Sequence, residues 1–122
     1  MRLGLLALGQ ADTAAALSEL AMASELAPND AFVHYMNGWV LGTTKHPKEA
    51  VVALTKATEL EPYYALPNLV LGTQYEALDK APEALAAYER FLATASARDP
   101  QRGFATDRIK DVKEFLNAPK TQ

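Results

Sequence analysis

The 122-residue chain writes one phrase twice. ASELAP at 23–28 and ATELEP at 57–62 agree at four of six places and differ by a Ser/Thr exchange at a fifth, and Pro28 and Pro62 stand 34 residues apart. That interval extends well beyond the phrase: Gly4, Gly38 and Gly72 keep it, as do Ala16, Ala50 and Ala84, while Leu20, Leu54 and Tyr88 continue a third series. Three independent positions with one period mean that a single short supersecondary unit is repeated, each copy burying its apolar face on the next.

Composition decides what the unit is made of. The central stretch is dominated by Ala, Leu, Glu and Lys, with few Gly or Pro and no alternating β-branched runs, which favours helix over sheet. With 49% apolar and 22% charged residues the chain is expected to fold as one globular domain. Within each unit the alanine follows the glycine by 12 residues and the large residue follows the alanine by four; in the first two units a proline closes the unit eight residues later. In its third unit, Leu71-Gly72-x-x-Tyr75 followed by Ala84-x-x-x-Tyr88, the chain resembles the tetratricopeptide repeat (TPR) family, whose unit is a 34-residue helix-turn-helix. It departs from that pattern at His34 and Asn68, where tryptophan often stands, at Asn37 in place of leucine, and at Ser96 in place of the third proline.

The resemblance implies an all-α fold, a right-handed superhelix of antiparallel helix pairs, in a single TPR domain over 1–117. The units would be 1–30, 31–64 and 65–98, followed by a capping helix at 100–117 and a disordered tail at 118–122. Helices are expected at about 2–9, 13–26, 31–43, 47–60, 66–78 and 82–96. Pro47 and Pro82 suit the first turn of a helix, where a missing N–H leaves nothing unpaired, and Asp12 is placed to cap the equivalent helix of unit one. The opening turn of that unit's first helix is missing, because Met1 precedes Gly4 by only three residues, so either the helix is short and frayed or the chain is cut from something longer. Small residues such as Gly38 and Ala50 let paired helices approach closely. At the other end Ala105, Ile109, Val112 and Leu116 fall at i, i+4, i+7 and i+11, the stripe of one amphipathic helix able to cover the last pair.

Several function classes fall away. There is no cysteine, so thiolate metal sites, disulfides and a cysteine nucleophile are excluded. Net charge is −3, with 5 Lys/Arg against 11 Asp/Glu over 1–89 and 7 against 4 over 90–122, the wrong balance for a broad nucleic-acid surface. No apolar run is long enough for membrane insertion. MRLGLLALG is similar to a signal peptide, at the lower limit of length for its apolar region. The compartment stays open, with the cytoplasm favoured. No phosphate loop, dinucleotide glycine pattern, metal-spaced His pair or Gly-x-Ser-x-Gly turn is present, so neither an enzyme nor a cofactor is expected. His34 is read as a boundary histidine, His46 as a solvated turn residue, and Glu59, Glu61, Glu76 and Asp79 as solvated carboxylates.

One helix carries a surface that packing does not explain. Across 32–43, His34, Asn37, Gly38 and Leu41 form one stripe at helical spacing, and Phe32, Tyr35, Met36 and Trp39 form another pointing nearly the opposite way. The glycine stripe must meet the partner helix, so the aromatic one must face elsewhere. The resemblance implies that first helices line a concave groove that takes peptides or partner proteins. It thereby places Phe32, Tyr35, Met36 and Trp39 on the groove wall, with Leu66, Leu69, Val70 and Thr73 as the matching stripe of unit three and Met1, Arg2 and Leu5 that of unit one. Some members clamp a peptide carboxylate with Lys, Asn and Arg; the corresponding positions here are Met1, Leu5, Met36, Leu66 and Val70, which cannot. The expected function is a protein-protein interaction module taking an apolar or amphipathic segment. The alternative is a structural or self-assembly module, a homo-oligomer or larger protein in which another copy or domain covers the stripe; the plainest reading is a short array that buries these residues among its own helices.

Overall fold

The computed structural model describes the backbone of residues 2–118 and the side-chain surroundings of residues 14–118; within them the chain forms six helices and no strand. These are α1 (Arg2–Leu26), α2 (Ala31–Thr43), α3 (Pro47–Leu60), α4 (Ala65–Ala77), α5 (Ala81–Thr94) and α6 (Arg102–Asn117). The pairs α2/α3 and α4/α5 are helix hairpins; α1 packs on α2, α3 on α4 and α5 on α6. Residues 119–122, which hold most of the tail expected to be disordered, lie outside the described residues.

The period of 34 has a steric cause. A Cβ on Gly38 would stand 2.5 Å from Cγ of Leu54 and 3.3 Å from the carbonyl oxygen of Ala50. One period later, a Cβ on Gly72 would stand 2.6 Å from two ring carbons of Tyr88. Each hairpin therefore crosses where the first helix has no side chain and the second inserts a large one. Ala50, Leu54, Ala84 and Tyr88 are fully buried at these crossings. Leu54 and Leu71 pack with Ala50 and Ala87 between the hairpins, and Tyr88 and Phe91 pack with Leu69, Ala84 and Ala105 beneath α6. Each large side chain so buried stabilises by about 1.5–3 kcal/mol relative to exposure.

The turns repeat as closely as the crossings. Lys45 and Asp79, 34 residues apart, are the only non-glycine residues with positive φ among those described, at 66° and 58°. In the first turn His46 N–H donates to Leu41 O (2.9 Å) and Lys45 N–H to Gly42 O; in the second Lys80 N–H donates to Tyr75 O (2.8 Å) and Asp79 N–H to Glu76 O. Both ends are Schellman motifs, closed by one left-handed residue. Pro47 or Pro82 then sits in the first turn of the returning helix.

Unit one departs from this plan. α1 is a single 25-residue helix, not the expected pair at 2–9 and 13–26, and Asp12 lies inside it and not at a helix start. Local chemistry explains the difference. The residue one period before Lys45 is Ala11, the strongest helix former, and the one before Pro47 is Thr13, which retains the N–H that proline lacks. The phase of the repeat is kept, but nothing breaks the helix.

α6 is held by a polar network that sequence reading misplaces. Glu76, expected to be solvated, accepts hydrogen bonds from Tyr88 OH (2.5 Å) and Arg108 Nε (3.0 Å), and its other oxygen takes Arg108 Nη2. Arg108 Nη1 also donates to Asp111 (2.9 Å). α4, α5 and α6 are thus joined through one carboxylate. Glu59, Glu61 and Asp79 are exposed, in line with expectation. Arg102 Nη1 donates to Leu92 O (2.8 Å) and Ala95 O, filling carbonyls left open at the end of α5. Ala105 and Val112 are buried and Ile109 packs beside them, whereas Leu116, expected on the same stripe, is exposed with Phe115 in the last turn.

Three stability measurements test this account. Gly72→Ala should lose about 1–3 kcal/mol in urea unfolding, because the Tyr88 ring must move in a filled core; a stabilised variant would show that the crossing widens freely. Lys45→Gly should gain about 0.5–1 kcal/mol by relieving a left-handed residue at a helix end. The Arg108 hydrogen bond, opposed by burial and aided by Tyr88, holds the Glu76 carboxyl below its ordinary value of 4.5. A depressed folded-state value gives stability that is fully present above about pH 4.5 and lost as pH falls through the folded value. Over that acid range the wild-type urea midpoint should fall more steeply than that of Glu76→Gln, and equal slopes would exclude the contact as a source of acid sensitivity.

Candidate functional site

α2 begins firmly. Asp30 accepts hydrogen bonds from Phe32 N–H (3.0 Å) and Val33 N–H (3.4 Å), satisfying two donors that a helix start leaves open. With Gly38 turned into the hairpin, the opposite side carries Phe32, Tyr35, Met36 and Trp39. Phe32 is 50% exposed and Trp39 46%; Tyr35 and Met36 between them are partly buried. Phe32 and Tyr35 stack with ring centroids 6.5 Å apart, and Tyr35 meets Tyr64 edge-on at 5.4 Å. Tyr35 also packs on the cluster of Leu54 and Leu71. It is the floor of the stripe, with core beneath it and open rings at its sides.

The α4 residues lie differently. Leu66, Val70 and Thr73 are partly buried, Thr73 with its hydroxyl donated to Val70 O (2.7 Å). Leu69 is only 5% exposed, packed with Ala84, Tyr88 and Phe91, and α6 lays Ala105 over it. Its expected place on the groove wall is therefore corrected: it is a core residue. The side chains of Met1, Arg2 and Leu5, expected to form the stripe of unit one, lie outside those described.

Sequence reasoning missed Tyr63 and Tyr64. Tyr64 occupies the helix-start position of α4, one period after Asp30, yet makes no side-chain cap and gives its ring to Tyr35 instead. That loss of a capping residue was the available signal. Tyr63 is almost fully exposed, and with Asn29, Asp30, Phe32, Glu61 and Tyr64 it lines an open hollow of about 870 Å³ between the α1–α2 and α3–α4 turns. Burial pushes both the Tyr35 and Tyr64 phenols above their ordinary range, Tyr64 further through the charges of Tyr35 and Asp30. Both remain neutral hydroxyls at physiological pH, able to donate a hydrogen bond at the edge of an apolar surface.

The histidines stand apart from this surface. His34 is partly buried with Nε2 2.8 Å from Pro28 O, and His46 is exposed with Nδ1 3.0 Å from the Thr44 hydroxyl. Among the described residues no group of three His, Cys, Asp or Glu side chains is arranged to hold a metal ion, and no helix is long and apolar enough to cross a membrane.

No family model matches the chain, and no curated protein matches it significantly. Its structure is similar to the first TPR of Spaghetti (RPAP3) bound to the HSP90 peptide SRMEEVD, with a TM-score of 0.80 and 19% sequence identity over 96% of this chain and 90% of that one. Six helices packed in sequence, with the two hairpins locked by Gly38 and Gly72, give this chain the fold of a tetratricopeptide-repeat α-solenoid.

Proposed function

We propose that the chain is a protein-interaction module that binds an apolar or amphipathic segment along the outward stripe of α2. The observation that carries this reading is the exposure of Phe32 and Trp39 on either side of Tyr35, on a helix whose opposite face is locked at Gly38. Aromatic side chains on a rigid backbone anchor partners with little ordering cost. Leu66, Val70 and Thr73 on α4 and the open rings of Tyr63 and Tyr64 extend the surface. The similarity to a repeat domain that holds a peptide supports the mode of binding. It does not carry over the acidic peptide: Met36, Leu66 and Val70 offer no positive charge to a carboxylate. The preferred ligand presents aliphatic or aromatic side chains at helical or extended spacing, with a polar group for the Tyr35 and Tyr64 hydroxyls.

Trp39 is the only tryptophan, so its emission reports this surface alone. In the free protein it should be open to acrylamide quenching, and peptides selected from a random library should shift its spectrum. Trp39→Ala and Tyr35→Phe/Trp39→Ala should weaken those peptides by about 2 kcal/mol or more, with the melting temperature of Trp39→Ala nearly unchanged. A quencher-protected tryptophan whose removal costs about 3–5 kcal/mol of stability would make it a core residue and overturn the proposal. A wild-type dimer that Trp39→Ala converts to a stable monomer would replace it with self-assembly through the same stripe.

A further inference from the structure

We infer that the chain forms a two-fold dimer in which the N-terminal half of α1 completes the first repeat of a second copy. The inference concerns a different surface from the stripe of α2 and stands independently of it. In the second and third units the alanine and the large residue of the returning helix, Ala50 with Leu54 and Ala84 with Tyr88, are fully buried because helices cover them on both sides. Their counterparts on α1, Ala16 and Leu20, together with Ala23, are only partly buried. α2 covers them from one side, as the following helix does in every unit. Among the described residues no second helix packs on their other side, the place that belongs to the first helix of their own repeat.

The segment that fits this place exists within the chain. Gly4 stands in the phase of Gly38 and Gly72, the two glycines that accept Leu54 and Tyr88. Yet Gly4 and Leu20 lie on one continuous helix, and 16 residues at about 1.5 Å each hold them about 24 Å apart. A copy cannot fill its own seat without a turn near residue 11. The two turns that do form use a left-handed residue, Lys45 or Asp79, and a proline in the next helix's first turn. Unit one offers Ala11, Thr13 and Ala14, all compatible with unbroken helix. A helix that cannot fold back presents its first half to a neighbour. With identical chains the exchange is reciprocal, each filling the other's seat, and it closes at two copies.

Light-scattering mass across a concentration series tests this directly. The wild type should run at twice the chain mass of 13.2 kDa. Ala11→Gly/Thr13→Pro, which supplies the two helix breakers that the other turns possess, should run at the single-chain mass with helical circular dichroism retained. Ala11→Gly alone, a milder change that leaves every proline in place, should shift the equilibrium towards the single-chain mass by about tenfold or more in dissociation constant. A wild type that stays at the single-chain mass up to several hundred micromolar overturns the inference. So does a dimer that persists undiminished in both variants, since it would be held by another surface. Trp39→Ala should remain a dimer, which separates this contact from self-association through α2.

Discussion

The contact on which the architecture depends is a bare backbone against a large side chain. Where α2 crosses α3, Gly38 leaves room for Leu54; where α4 crosses α5, Gly72 leaves room for the Tyr88 ring. Any side chain at these glycines would hold the helices apart and strip the alanines beside them of their neighbours. The crossing also fixes helix rotation. Once Gly38 faces α3, helical geometry alone turns Phe32 and Trp39 away from it. The surface proposed to bind a partner is thus set by the packing on the other side of the same helix.

A single exchange at that crossing reaches much further. Leu54 needs only apolar neighbours, but Tyr88 carries a hydroxyl into the core, and a buried hydroxyl without a partner is costly. Glu76, one turn beyond Gly72, accepts it. That carboxylate in turn requires a cation in its partly buried setting, which Arg108 supplies from α6. The identity of the large residue in the third unit therefore helps decide how the final helix docks. The burial of Leu69 beneath Ala105 follows from that docking.

Much of this was legible in the sequence, and the limits have physical causes. Gly38, Ala50, Leu54 and their counterparts could be read because steric demand is a property of residue type and recurs at a fixed interval. Pro47 and Pro82 marked helix starts for the same reason. The continuous α1 was hidden because the period records which residues would pack, whereas the turn depends on Ala11 and Thr13, which lie between the conspicuous positions. Glu76 was misread because its partners stand 12 and 32 residues away in no local pattern. That Phe32, Tyr35, Met36 and Trp39 share one face of α2 follows from helical spacing alone. Leu69 was misassigned because its exposure depends on α6, and Tyr64 was overlooked because a residue just before a helix is normally judged as a cap.

Tyr35 ties the two faces of α2 together. Its ring stacks on Phe32 and meets Tyr64 edge-on, yet it also packs on the buried cluster of Leu54 and Leu71. A segment lying across Phe32 and Trp39 would cover a ring whose inner side is already part of the interface between the two hairpins. Both ends of the helix are fixed, by Asp30 at the start and by the left-handed turn at Lys45 at the end. The stripe is therefore presented in one conformation, and little ordering is left for a partner to impose. On the proposed reading, a ligand that binds only the folded arrangement of Phe32, Tyr35 and Tyr64 would stabilise the hairpin interface beneath it by mass action. Conversely, loosening the Gly38 crossing would disperse the aromatic rings of the proposed binding surface.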